Sequence, residues 1–146
     1  MTGATTGSGF LEAIKNTIAW GPSPERIPGR VRTLSGGESM NQLFDLASLE
    51  WKPVRPEITS GVFGKAMLDG PLKAVLTRVE PGGTFRMHVD PYGHLFYFLS
   101  GEGLVWVDGD RSEARPGVVA RIDAGAAHAY ENTGTEDLVL VSLNIP

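Results

Sequence analysis

The chain has 146 residues, 41% of them hydrophobic and 21% charged, with a formal net charge of −4. That length suits one ordinary domain with a single sizeable core. The 13 Lys and Arg residues are scattered and form no basic patch, which argues against nucleic acid or an anionic membrane surface as a partner. The absence of cysteine excludes disulfides, thiolate metal sites and thiol chemistry, so any metal must be held by nitrogen and oxygen.

No apolar run approaches the ~20 residues that span a bilayer. The N-terminal "MTGATTGSGF" lacks the basic region and apolar core of a secretory leader, so a cytoplasmic location is expected. Residues 1 to 8 are small and polar. Residues 10 to 19, "FLEAIKNTIA", place Phe10, Leu11, Ile14 and Ile18 on one helical face, which predicts one short amphipathic helix ended by "WGPSP". An extended arm is the alternative. We divide the chain into an N-terminal extension, residues 1–29, and a single β-domain, residues 30–146.

In the next stretch "GRVRTLS" has room for one strand, and "ESMNQLFDLA" reads as a strand or a helical turn. "GVFGKAML" reads as a strand before the turn "DGP". From residue 72 the pattern is regular. "LKAVLTRVE" is closed by "PGG", "TFRMHVD" by "PYG" and "HLFYFLS" by "GEG". "LVWVDG", "GVVARID", "HAYENTG" and "DLVLVSLNI" follow. Strands of this length with Gly or Pro between them predict an antiparallel sandwich or barrel.

The chain has three histidines, His88, His94 and His128. His88 and Asp90 are two apart, so in a strand both point to one face, together with Arg86. The turn from Pro91 to Gly93 then delivers His94 at the start of the next strand. His128 opens a further strand. A lone histidine is ordinarily a surface or hydrogen-bonded core residue. Here all three fall at strand ends beside turns, and with Asp90 they can close on one ion. Imidazole and carboxylate ligands without sulfur suit Fe, Mn, Ni, Co or Zn as a divalent ion.

The glycine framework around these residues resembles the cupin family. Its first motif is written G-x5-H-x-H-x3-E-x6-G, and this chain has Gly82, His88, Asp90, His94 and Gly101 at those spacings. Its second motif is G-x5-P-x-G-x2-H-x3-N, matched by Gly117, Asp123, Gly125, His128 and Asn132. The resemblance covers residues 71 to 145. Three positions depart: Asp123 replaces the turn proline, Asp90 stands in place of a histidine, and His94 in place of the glutamate. The inventory of three imidazoles and one carboxylate is kept with two positions exchanged.

The resemblance implies an all-β fold: an antiparallel double-stranded β-helix, the jelly-roll barrel of cupins, preceded by the extension with its helix. It implies a metal inside the barrel near one open end, held by His88, Asp90, His94 and His128, and a homodimer. Asp90 is read in three ways: as a direct ligand, as a residue that orients a ligand histidine, or as a turn former before Pro91. Strand parity then lines the cavity with Arg86, Phe96, Phe98, Tyr130 and Asn132. Arg86 is expected to bind an anionic substrate, or to pair with Asp90 or Glu131; if the parity slips by one, it is merely solvated. Tyr130 is the candidate catalytic proton donor or acceptor, and Asn132 is expected to hold a turn. Two functions follow. One is a metal-dependent enzyme of oxygenase, isomerase, lyase or cyclase type, acting on a small oxygen-rich or carboxylate-bearing molecule. The other is a non-catalytic binding or structural cupin.

Overall fold

The computed structural model describes residues 32–33 and 42–146. The helix expected over residues 10 to 19 lies outside the described residues. The chain divides after Ser48 into two units. In the first, β1 (Arg32–Thr33) pairs antiparallel with β2 (Gln42–Leu43), and a 3-10 turn covers Leu46–Ser48. The stretch that read as strand or helical turn therefore contains both.

The second unit is built from β3 (Lys52–Pro53), β4 (Thr59–Leu68), β5 (Lys73–His88), β6 (Gly93–Ser100), β7 (Gly103–Val107), β8 (Asp110–Ala114), β9 (Val119–Ile122), β10 (His128–Asn132) and β11 (Leu138–Ile145). They form one sheet in the order β8-β7-β10-β5-β11-β6-β9, with β4 added to β5 and β3 to β4. Every pairing is antiparallel. The sheet curls because β5 is shared. Its first half pairs with β11 and its last residues pair with β10, while β4 runs beside both parts.

The "PGG" expected to close a strand instead bends one. Residues 73 to 88 form a single strand passing through Pro81, Gly82 and Gly83. Gly82 takes φ 77°, in the left-handed region that glycine occupies without steric cost. A Cβ on Gly83 would stand 2.8 Å from the Glu80 carbonyl and 2.9 Å from that of Ser60, so the neighbouring backbones approach closely only at glycine. The bend turns β5 from one set of partners to the other without reversing the chain.

Inward-facing residues of alternate positions make the core. Val79, Phe98, Leu138 and Leu140 are fully buried and pack with Val62, Val105 and Ile122. This is the period-two burial expected of a sheet with one face on the core. Among the described residues, no helix is long and apolar enough to cross a membrane.

Candidate metal centre

His88 ends β5, Asp90 lies in the loop to β6, His94 is the second residue of β6, and His128 opens β10. The strand register brings them together. His128 sits directly across from His88, and His94 lies across from Asn144 of β11. The Gly125 N–H donates to the Asp90 carbonyl at 2.9 Å, tying the turn before His128 to the loop that carries the carboxylate. Asp90, His94 and His128 are buried.

The hydrogen bonds on the far side of each ring determine what the near side offers. His88 Nδ1 lies 2.7 Å from the Arg86 carbonyl, and His128 Nδ1 lies 2.9 Å from the Ala126 carbonyl. A carbonyl only accepts, so each Nδ1 carries the hydrogen, and each neutral ring presents a bare Nε2 lone pair. Both Nε2 atoms are buried without a hydrogen-bond partner in the described structure. They lie near the same atom: His88 Nε2 is 3.0 Å and His128 Nε2 3.5 Å from Asp90 Oδ2. Two bare imidazole lone pairs thus lie beside a carboxylate oxygen with no hydrogen to share between them. An arrangement of this kind is costly unless a cation joins it, and second partners on Nδ1 are the usual support of metal-binding histidines. The ligand atoms of His88, Asp90 and His128 all lie within 4.8 Å of one another, so these residues could hold an ion.

His94 differs in its contacts. Its Nε2 is 2.9 Å from Asp90 Oδ2, and its Nδ1 is 3.1 Å from Asn144 Oδ1. Its Nε2–H can donate to the carboxylate. Burial opposes the Asp90 anion, yet its pKa lies below the usual carboxylate value, because the His94 hydrogen bond, the nearby His88 imidazole and the Arg55 guanidinium together outweigh burial. The His128 imidazole is pushed below its ordinary value, first by burial and then by the neighbouring His88 and His94. Its bond to Ala126 and the Asp90 charge only partly offset this. The pair therefore favours the protonation states that bind metal: ionised aspartate and neutral histidine.

Arg86 requires a correction. It is exposed and outside the cavity that the histidines line. Its Nη2 donates to the Glu57 carbonyl at 2.6 Å. The cause is a β-bulge. From His128 to Tyr130 two steps of β10 oppose the three steps of β5 from His88 to Phe85. Phe85 and His88 consequently both face inward, whereas unbroken alternation would pair His88 with Arg86. Phe85 stacks on His88 with ring centroids 4.4 Å apart.

The arginine at the site is Arg55, in the turn between β3 and β4, which parity reasoning could not reach. Its Nη1 donates to Asp90 Oδ1 at 2.9 Å and its Nε to Glu57 Oε1 at 3.3 Å. Arg55 holds φ 43°, a left-handed conformation unusual for a residue other than glycine. The Ile58 N–H, which donates to the Arg55 carbonyl at 2.9 Å, stabilises that turn.

The cavity beside the cluster has a volume of about 380 Å³. Phe96 and Tyr130 line it, and Phe98 lies deeper in the core. Burial pushes the Tyr130 phenol far above its ordinary pKa, so it remains protonated and can only donate or accept as a neutral hydroxyl. Asn132 is away from the cavity. Its amide donates to the Val79 and Glu136 carbonyls at 2.8 and 2.7 Å, and its Oδ1 accepts from Gly134 N–H at 2.9 Å, which holds the turn after β10. Ser142 and Asn144 also line the cavity and were not singled out in the sequence. Their signal was available: polar residues at inward positions of the otherwise apolar run "LVLVSLNI".

A curled antiparallel sheet with a buried imidazole–carboxylate cluster on its inner face defines a small β-barrel with a candidate metal centre. The family model for the Cupin domain matches residues 75–144, just under half of the chain. The chain is 27% identical over 124 residues to the oxalate-binding protein of Thermotoga maritima, covering 84% of this chain and 90% of that one. Its fold is similar to a crystal structure described as a predicted oxalate decarboxylase from Thermotoga maritima. The TM-score there is 0.64 at 22% identity, covering 69% of this chain and 96% of the other. It is also similar to the polyketide cyclase RemF from Streptomyces resistomycificus, with a TM-score of 0.66 at 18% identity, covering 73% and 80%.

Proposed function

We propose that this chain is a cupin that binds a divalent metal ion through His88, Asp90, His128 and the adjoining His94, and takes a small carboxylate-bearing molecule beside it. The convergence of two bare Nε2 lone pairs and a carboxylate oxygen on one buried point carries the metal reading. Lys52, Arg55 and Lys73 are the Lys and Arg side chains that line the cavity. Although Lys73 is paired with Asp69 and Arg55 with Asp90 and Glu57, this cationic lining favours an anion. The relative that binds oxalate by name is consistent with this.

A bound divalent ion would supply Lewis-acid polarisation of a ligand oxygen. The chain's own residues do the rest. The Arg86 and Ala126 carbonyls hold the rings of His88 and His128 with Nε2 inward. Arg55 secures Asp90 Oδ1, which leaves Oδ2 to the cluster. Tyr130 offers a neutral hydroxyl in a wall where its ring packs on Phe85 and Phe96. On this reading the chain is an enzyme of oxygenase, isomerase, lyase or cyclase type. Binding without turnover is the second reading, favoured because Asp90, itself in the cluster, is the one carboxylate among the described residues that line the cavity. Elemental analysis of protein purified without chelator tests the metal. About one equivalent is expected, and less than about a tenth, unrecovered on reconstitution, would reject the site.

A further inference from the structure

We infer that the ligand of this cavity is a carboxylate carried on an apolar, ring-sized body, in place of a two-carbon diacid. The inference rests on the metal-and-carboxylate reading above and adds to it the shape and polarity of the rest of the site.

The volume is the first observation. About 380 Å³ is available, within the roughly 300–1,000 Å³ of sites that enclose drug-sized molecules. A two-carbon diacid would leave most of that space to water, part of it against the apolar side chains of the lining. The polarity of the walls is the second. Val54, Ala66, Val75 and Phe96 all face the cavity. The β4–β5 register places Ala66 across from Val75 and Gly64 across from Thr77. At Gly64 a Cβ would stand 2.7 Å from Val75 Cγ1 and 2.8 Å from Val54 Cγ2. Glycine here lets the two valines close over the strand backbone, so Val54, Val75 and Ala66 make an apolar patch in the cavity wall. Ala66 is exposed although it faces the cavity, as a surface left for a ligand would be. Burying an apolar ring on that wall is favourable, and a diacid has no group to place there.

The third observation concerns the carboxylate end. Arg55 uses Nη1 and Nε for Asp90 and Glu57, and no hydrogen bond from its Nη2 to a described residue is present. A guanidinium has five N–H donors in a planar fork. The two on Nη2 therefore remain for a ligand carboxylate that also reaches the ion. Lys73 is already paired with Asp69 at 3.1 Å. The site thus holds one prepared anion position next to the cluster and an apolar wall in the same cavity.

The test uses the full chain loaded with Co(II), whose visible spectrum reports ligand binding at the ion without any turnover. The probes are 2-naphthoate, its neutral amide and oxalate, with cobalt content measured after each titration. Naphthoate should bind about tenfold or more tighter than both oxalate and the amide. Ala66→Leu, which fills the apolar wall, should remove that advantage while leaving oxalate affinity and cobalt content within about twofold of the parent. Oxalate binding as tightly as naphthoate, or naphthoate affinity indifferent to Ala66→Leu, would overturn the inference. Should the variant not fold, the three-ligand comparison on the parent protein decides by itself. A chain that takes up cobalt and binds oxalate, yet gives naphthoate no advantage, loses only the ligand class. A chain that takes up no cobalt loses the metal reading as well.

Discussion

Arg55 and Asp90, 35 residues apart in the chain, are joined by a 2.9 Å charge-assisted hydrogen bond from Nη1 to Oδ1. That contact leaves Oδ2 as the atom Asp90 turns toward the three imidazoles, at 2.9, 3.0 and 3.5 Å from their Nε2 atoms. It makes Arg55 a positioning residue for the cluster.

Arg55→Met should therefore weaken metal affinity by about 10- to 100-fold, the range typical of partners that orient ligands. Arg86→Met, which removes only a bond to the Glu57 carbonyl outside the cavity, should leave it unchanged. Competition titration against a chromophoric chelator distinguishes the two. Equal losses would reject Arg55 as the orienting residue.

His88→Ala and His128→Ala should each reduce bound metal below about a tenth of an equivalent, since each removes a lone pair from a preformed set. In the parent protein, adding metal at 100 times its Kd should raise stability by about 2.7 kcal/mol through mass action alone. Thermal melts with and without chelator measure this. The shift should vanish in both variants.

The metal-free protein should lose stability in acid through two groups. The native His128 pKa lies below its ordinary value, chiefly through burial, so the unfolded chain binds the extra proton first. The His128 contribution is complete above about pH 6.5 and is lost as pH falls through the native value. Asp90, with its native pKa also lowered, contributes in full above about pH 4 and loses that contribution further down. Urea midpoints from pH 8 to 5 should fall for the parent and fall less steeply for His128→Phe. Parallel curves would refute the assignment to His128.

Asn132→Ala should cost about 1–3 kcal/mol by stripping partners from the buried Val79 carbonyl and the Gly134 N–H. Chemical denaturation reads the loss. Metal stoichiometry should stay intact, because Asn132 holds a turn and does not line the cavity.

Much of the fold was legible because its signals are local. Gly and Pro between short apolar runs announced antiparallel strands, and β4, β6, β7 and β9 to β11 all fall on runs read that way. The "PGG" was misread as a strand end because a proline–glycine turn and a proline–glycine bend look alike in sequence. Only pairing to β11 and then β10 shows that β5 continues.

The sequence by itself determined the chemistry available: no sulfur, three imidazoles, and a carboxylate two residues from the first of them. The tertiary structure decided which side chains share the site. A single bulge turned Arg86 outward and Phe85 inward, and a turn from a distant part of the chain supplied Arg55 in its place. Alternation is a property of one strand, readable from a few residues. Bulges and loop placement are set by partners far along the chain, and they become visible only when the strands are paired.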